Sequence, residues 1–169
     1  MILYTAPRPF TLGVQGLPSV FLAGGITNCP NWQDEVIKGL EGTDCIILNP
    51  RRENFPIDDP NASEEQITWE FHALNQCDIF SMWFSDAPSD QPICMYELGR
   101  QVALRQYKAD YLHEIAVGVE PGYKREKDVF IQLNLIHPEL GEDISWSLDK
   151  HIDNIKRKID SYLIMKACS

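Results

Sequence analysis

The chain has 169 residues, the length of one domain built on one hydrophobic core. With 44% hydrophobic and 24% charged residues it has the composition of an ordinary globular protein, neither disordered nor fibrous. A formal net charge of -10, without any long run of Lys or Arg, argues against a nucleic acid polymer or an anionic membrane as partner, whereas an uncharged nucleobase or nucleoside is not repelled.

Residues 1–10 are mixed and broken by proline, with no apolar segment typical of a signal peptide, and no run is long enough to span a bilayer. The cysteines, Cys29, Cys45, Cys77, Cys94 and Cys168, are odd in number and lack CxxC spacing, so reduced thiols and a cytoplasmic location are expected. His72, His113 and His137 lie far apart, with no cysteine or carboxylate at ligand spacing. Neither a metal nor another cofactor is expected.

In chain order, residues 19–23 read as a strand ending in Gly24-Gly25. Asn31 then caps a helix whose apolar positions are Trp32, Val36, Ile37 and Leu40. Residues 45–48 form a second strand ending in Asn49-Pro50, followed by a polar loop over 51–61. Ser63-Glu64-Glu65-Gln66 has the spacing of a capping box and opens a helix to about Gln76. Residues 79–84 are a third strand, and after the loop 85–91 Pro92 suits the first turn of a helix to about Tyr107. A fourth strand spans 115–119 and ends at Glu120-Pro121-Gly122; residues 128–135 fit either a short helix or a fifth strand. A closing helix is predicted over 144–164, with Trp146, Leu148, Ile152, Ile155, Ile159 and Leu163 on one side.

Strands alternating with helices, the strands apolar almost throughout, predict an α/β fold occupying residues 1–169 as a single domain. It is a doubly wound parallel sheet, flavodoxin- or Rossmann-like, of about five strands with helices on both faces. Ligands in such sheets bind at the carboxyl ends of the strands, here Gly24-Gly25, Asn49 to Arg51, residues 85–91 and Glu120-Pro121. The dinucleotide fingerprint GxGxxG and the Walker A lysine are both absent.

Glu97 lies among Met95, Tyr96, Leu98 and Gly99 on a helix that packs on the sheet, so it is either paired, with Arg100 the obvious candidate, or used in chemistry. A second carboxylate, Glu70, flanked by Trp69 and Phe71, converges with the Gly24-Gly25 turn at the same sheet end. Two carboxylates at one pocket suit cleavage of a glycosidic bond: one attacks or stabilises the oxocarbenium-like carbon, the other manages a proton or fixes the substrate. Trp32, Trp69 and Tyr96 are candidates to stack on a planar base, although each is more often a core residue.

Taken together, Phe21-Leu22-Ala23-Gly24-Gly25-Ile26, Trp32, Leu48-Asn49-Pro50-Arg51-Arg52, Trp69-Glu70 eight residues before Asp78, and Met95-Tyr96-Glu97-Leu98-Gly99 resemble the nucleoside 2-deoxyribosyltransferase family over residues 19–135. The resemblance implies an enzyme that transfers a 2-deoxyribosyl group between nucleobases by a retaining double displacement, with nucleosides and free bases as partners. Glu97 matches the family's nucleophilic glutamate, and Glu70 stands where the family has an aspartate that engages substrate. Gln91 stands where some members have an aspartate that hydrogen-bonds or protonates the base. Asn49 and Arg51 fall in the loop bordering the base pocket, and Trp69, Asp78 and Met95 lie within the matching segments.

Phe21 replaces a tyrosine that orients the nucleophile in some members, and Gln91 cannot supply a proton at neutral pH. The acid for the leaving base is then Glu70, Asp78, a neighbouring chain's group or water. Family members are commonly homo-oligomers, dimer-based and in some cases hexameric, in which a neighbour completes the site. Asp128 is the candidate for a residue lent to an adjacent subunit, and the closing helix offers an apolar face. Two alternatives use the same residues: a nucleoside or deoxynucleoside 5′-monophosphate N-glycosidase, and a non-catalytic nucleotide-sensing module.

Overall fold

The apolar runs become strands because they are buried on both sides. β1 (Ile2–Thr5) lies at one edge, and β2 (Ser19–Gly24), β3 (Ile46–Asn49), β4 (Ile79–Phe84) and β5 (Glu114–Val119) are buried nearly throughout. The computed structural model describes residues 1–107 and 114–168, and its sheet is parallel in every pairing, in the order β1-β3-β2-β4-β5. His113, noted above for its lack of ligand-spaced neighbours, lies outside the described residues.

Helices cover both faces. α1 (Trp32–Gly39) packs on one face, together with the last helix of the chain, against Val20, Leu22, Ile47 and Ile79. α2 (Ala62–Gln76), α3 (Pro92–Tyr107), α4 (Glu126–Ile136) and the short α5 (Pro138–Glu142) lie on the other, over Phe21, Leu48, Phe80 and Phe84. Alternate residues of β2 thus feed opposite cores, as the period-two geometry of a strand requires. The last helix is α6 (Leu148–Ala167), and Ile152, Ile155 and Ile159 on its apolar side are buried against its own sheet.

From β2 the chain moves to β3 on one side, then crosses back to β4 on the other. This reversal opens a crevice between the carboxyl ends of β2 and β4. The helices α2 and α3, which flank that crevice, are therefore the elements able to aim side chains into it.

Several local expectations are corrected. Residues 128–135 belong to α4, and the fifth strand is β1, within the stretch read as Pro-broken. Its signal is short: Ile2 and Tyr4 pack toward the core while Leu3 is exposed, and pairing with β3 stops after Thr5↔Asn49, just before Pro7, which has no N–H to give. The capping box does not form: α2 starts at Ala62 after Asn61, and the Gln66 amide turns instead toward Pro50 and Glu70. α6 begins later than predicted, at Leu148, because Ser147 Oγ caps it by accepting from Lys150 N at 3.4 Å. Residues ahead of it run beside β5, with Ser145 N donating to Val117 O and Val119 N to Ser145 O. Trp146, assigned above to the helix face, is 43% exposed and packs on Phe130. No helix among the described residues is long and apolar enough to cross a membrane.

Candidate active site

A cavity of about 200 Å³ opens in the crevice between β2 and β4. Its floor is Phe21, Ala23 and Gly24 of β2 with Gly25 just beyond; α2 contributes Glu70, and α3 contributes Ile93, Cys94 and Glu97. Ile93 and Glu97 are one helical turn apart, so a single face of α3 presents both. Gly24 and Gly25 are required by close approach. A Cβ at Gly24 would stand 2.4 Å from Trp83 O, and one at Gly25 would stand 2.4 Å from Cys29 Sγ and 2.7 Å from Gln91 Oε1.

Gln91 closes the cavity opposite Gly25. It is nearly fully buried, and its φ of 49° lies in the left-handed region, a conformation unusual for a residue other than glycine. The following Pro92 disfavours the right-handed helical alternative, and helix α3 starts at that proline. Gln91 Nε2 donates to Ser85 O at 2.8 Å, which fixes the amide and leaves Oε1 as a buried acceptor without a partner among the described residues. Such an acceptor against a cavity is suited to an N–H of a bound molecule.

The two carboxylates differ in their support. Glu70 Oε1 accepts from Gln66 Nε2 at 2.7 Å, whereas Glu97 has no hydrogen-bond or ion-pair partner among the described residues. Arg100, the candidate partner on its own helix, donates to Asn75 Oδ1 and lies 5.3 Å from the Phe71 ring centroid. Burial holds the Glu70 carboxyl above its ordinary value, partly offset by the Gln66 hydrogen bond and the charge of Arg52. Burial, then the adjacent charge of Glu70, pushes Glu97 up to about 8, with Arg100 acting in the opposite direction. Two like charges in one desolvated space favour a state in which the pair retains a proton near neutral pH.

Cys94 also lines the cavity, and burial pushes its thiol up to about 12, with Glu97 adding to the shift. A thiol so poorly ionised is not a nucleophile at neutral pH. The fourth histidine, His151, is fully buried beyond the sheet with Nε2 2.8 Å from Ser81 Oγ, and burial lowers it to about 3. It is a neutral core residue beneath Trp83 rather than a base. Among the described residues no group of His, Cys, Asp and Glu is placed to hold a metal ion.

Of the residues singled out in the sequence, the structure brings Gly24, Gly25, Glu70, Gln91 and Glu97 to one cavity, with Phe21 beside them. The others lie elsewhere. Asp78 stands at the opposite end of the sheet, where its Oδ2 accepts from Ser19 N and Oγ at 2.8 and 2.6 Å. Trp69 is a core residue, its Nε1 donating to Arg8 O at 2.8 Å and its ring packed against Phe10 and Phe21. Trp32 is buried and donates to Gly25 O at 3.1 Å, so it braces the glycine turn from behind, while Tyr96 is exposed.

Asn49 Oδ1 accepts from Arg51 N at 3.0 Å, and the Arg51 guanidinium binds Pro30 O, Gln33 Oε1 and Cys29 O. Both therefore shape the loops around the crevice without lining it; Pro50 between them does line it. Met95 and Asp128 share a separate, smaller groove between α3 and α4, and Asp128 pairs with Arg125 at 3.2 Å. Sequence reasoning missed Ile93 and Cys94, although their helical spacing from Glu97 was a usable signal. It also missed Gln66, which is one turn before Glu70 on α2.

The parallel sheet thus sets two desolvated carboxylates at its switch point, an arrangement able to support proton-transfer or nucleophilic chemistry. The family model described as nucleoside 2-deoxyribosyltransferase like matches residues 17–109, more than half of the chain, and the protein belongs to that family. No curated protein matches the chain significantly. The family match spans β2 through α3 and contains every residue that the carboxylate cavity draws from the sequence-based candidates.

Proposed function

We propose that this protein exchanges nucleobases on 2-deoxyribose by a double displacement through a glycosyl ester on Glu97. The observation that carries the reading is the convergence of Glu70 and Glu97 in one cavity against the Gly24-Gly25 turn, in a chain of this family. In the first step a Glu97 oxygen bonds to the anomeric carbon, the carbon–nitrogen bond breaks, and its electron pair leaves with the base. The proton that Glu97 gives up on becoming a nucleophile is relayed through Glu70 or water to that base nitrogen, which leaves from the opposite face of the sugar, a role Gln91 cannot fill. In the second step a nitrogen of the incoming base attacks the same carbon, the ester breaks, and the base returns its proton to the carboxylate pair. Two inversions give net retention.

Gln91 Oε1 serves as acceptor for an N–H of the base. The cavity lining carries two carboxylates and no Lys or Arg, which favours uncharged nucleosides over 5′-monophosphates. The reading places the enzyme in nucleobase salvage in the cytoplasm, without a cofactor, and as a homo-oligomer. Support for self-association comes from exposed apolar residues on the outer side of α2 to α4, among them Ile67, Phe71, Tyr96 and Leu135, together with Ile93, which lines the cavity and is 65% exposed.

The test is product analysis on a deoxynucleoside with and without an excess of a second base. Formation of the new nucleoside supports transfer. Free sugar alone under those conditions would make the protein a hydrolase, and binding without turnover would make it a sensor.

A further inference from the structure

Behind Glu70 lies a network of polar groups, part-buried at Arg52 and Gln66 and exposed at Glu65, none of which lines the cavity. Arg52, its side chain only 7% exposed, donates from Nε to Gln66 Oε1 at 2.6 Å and from Nη2 to Glu65 Oε2 at 2.9 Å, with its guanidinium over the Phe55 ring. Gln66 in turn spends both amide hydrogens: Nε2 donates to Pro50 O and to Glu70 Oε1, each at 2.7 Å. Exchanging the oxygen and nitrogen of this amide would set an N–H against the guanidinium and an oxygen against the Pro50 carbonyl. The partners at either end therefore permit one orientation, with the donor aimed at Glu70. Gln66 and Glu70 are one helical turn apart on α2, and Pro50 and Glu70 both line the cavity, so this amide joins the cavity wall to its carboxylate.

We propose that Gln66, locked by Arg52, is a positioning residue that fixes the Glu70 carboxylate in the cavity and makes it the ionised member of the Glu70–Glu97 pair. The inference rests on reading that pair as the reacting groups. A donor on Glu70 and, among the described residues, none on Glu97 breaks the symmetry of the pair, because a hydrogen bond to the charged form favours it. The shared proton then resides on Glu97 until a bound base draws it away.

The test is made on substrate-free protein carrying 13C at the glutamate carboxyl, with the two resonances assigned from Glu70→Gln and Glu97→Gln. Gln66→Met removes both donor and acceptor; Gln66→Glu keeps the length and the acceptor for Arg52 but has no N–H for Glu70. In folded Gln66→Met the titration of Glu70 should move up and that of Glu97 down, opposite directions that loss of packing alone would not produce; in Gln66→Glu the added carboxylate should move Glu70 up further. Arg52→Lys, which retains a cation for Gln66, should show the same changes at smaller size. In base exchange, kcat should fall about tenfold with KM changed less than about threefold, as for loss of a single charge-assisted hydrogen bond. Unmoved Glu70 and Glu97 titrations in folded Gln66→Met and Gln66→Glu would overturn the proposal. The titration needs no turnover, so it decides this inference even where the exchange assay decides against the transferase reading.

Discussion

Replacing Glu97 by Gln should stabilise the protein, increasingly so as the pH rises from the ordinary glutamate range to about 8. The wild-type carboxyl sits beside Glu70 with no hydrogen-bond partner among the described residues, and its pKa is raised from 4.5 to about 8. The folded state therefore holds this proton more tightly than the unfolded chain. The resulting stability is fully present below the ordinary glutamate range and is lost as the pH rises to about 8 and beyond. A shift of that size sets a ceiling of about 5 kcal/mol. Solvent at the open side of the cavity screens the charge, and about 1–2 kcal/mol is the expected remainder.

Glutamine is neutral at every pH and nearly isosteric with the protonated acid, so it escapes the penalty. Urea unfolding of wild type and Glu97→Gln at pH 4.5, 7 and 9 should give similar midpoints at the lowest pH and a higher midpoint for the variant at pH 9. A stability difference that does not change between pH 4.5 and 9 would refute the desolvated-pair account of Glu97.

Three further outcomes follow from the same geometry. Glu70→Gln removes the negative charge that helps raise Glu97, so the Glu97 titration, followed by carboxyl 13C shift, should move to lower pH; an unchanged titration would show that the two groups are not coupled. Gly25→Ala places a methyl group against Cys29 Sγ and the Gln91 amide, and should destabilise by about 1–3 kcal/mol in urea while raising KM for the nucleoside; a variant with wild-type KM would contradict the cavity assignment. Iodoacetamide at pH 8 should label exposed Cys168 well before buried Cys94, with base exchange surviving the first labelling; rapid loss of activity through Cys94 would reverse its exclusion as a nucleophile.

Much of the architecture was legible because the strands beginning at Ser19, Ile46, Ile79 and Glu114 are buried on both faces, which enforces continuous apolar runs. β1 was not, because an edge strand of four residues shows too few alternations to stand out beside Pro7. The carboxylate cavity was legible for a topological reason: Gly24-Gly25 and Glu97 each follow a strand end at the reversal of the sheet. The indole of Trp69 illustrates the opposite case. Its neighbour Glu70 faces the cavity, yet one residue along a helix rotates the side chain by about 100°, and Trp69 points into the core. Asp78 was misplaced because spacing along the chain from Glu70 hides the return of α2 to the amino end of the sheet. The Arg52–Gln66–Glu70 network joins a loop to a helix face, and only folding brings its parts together.

The central claim is that Glu97 forms a covalent bond to the sugar. Incubation with a 2-deoxy-2-fluoro nucleoside, followed by digestion and peptide mass spectrometry, should show one fluorosugar adduct, on Glu97, that disappears when a free base is added. An adduct on Glu70 or Cys94, or turnover of the deoxynucleoside undiminished in Glu97→Gln, would contradict it.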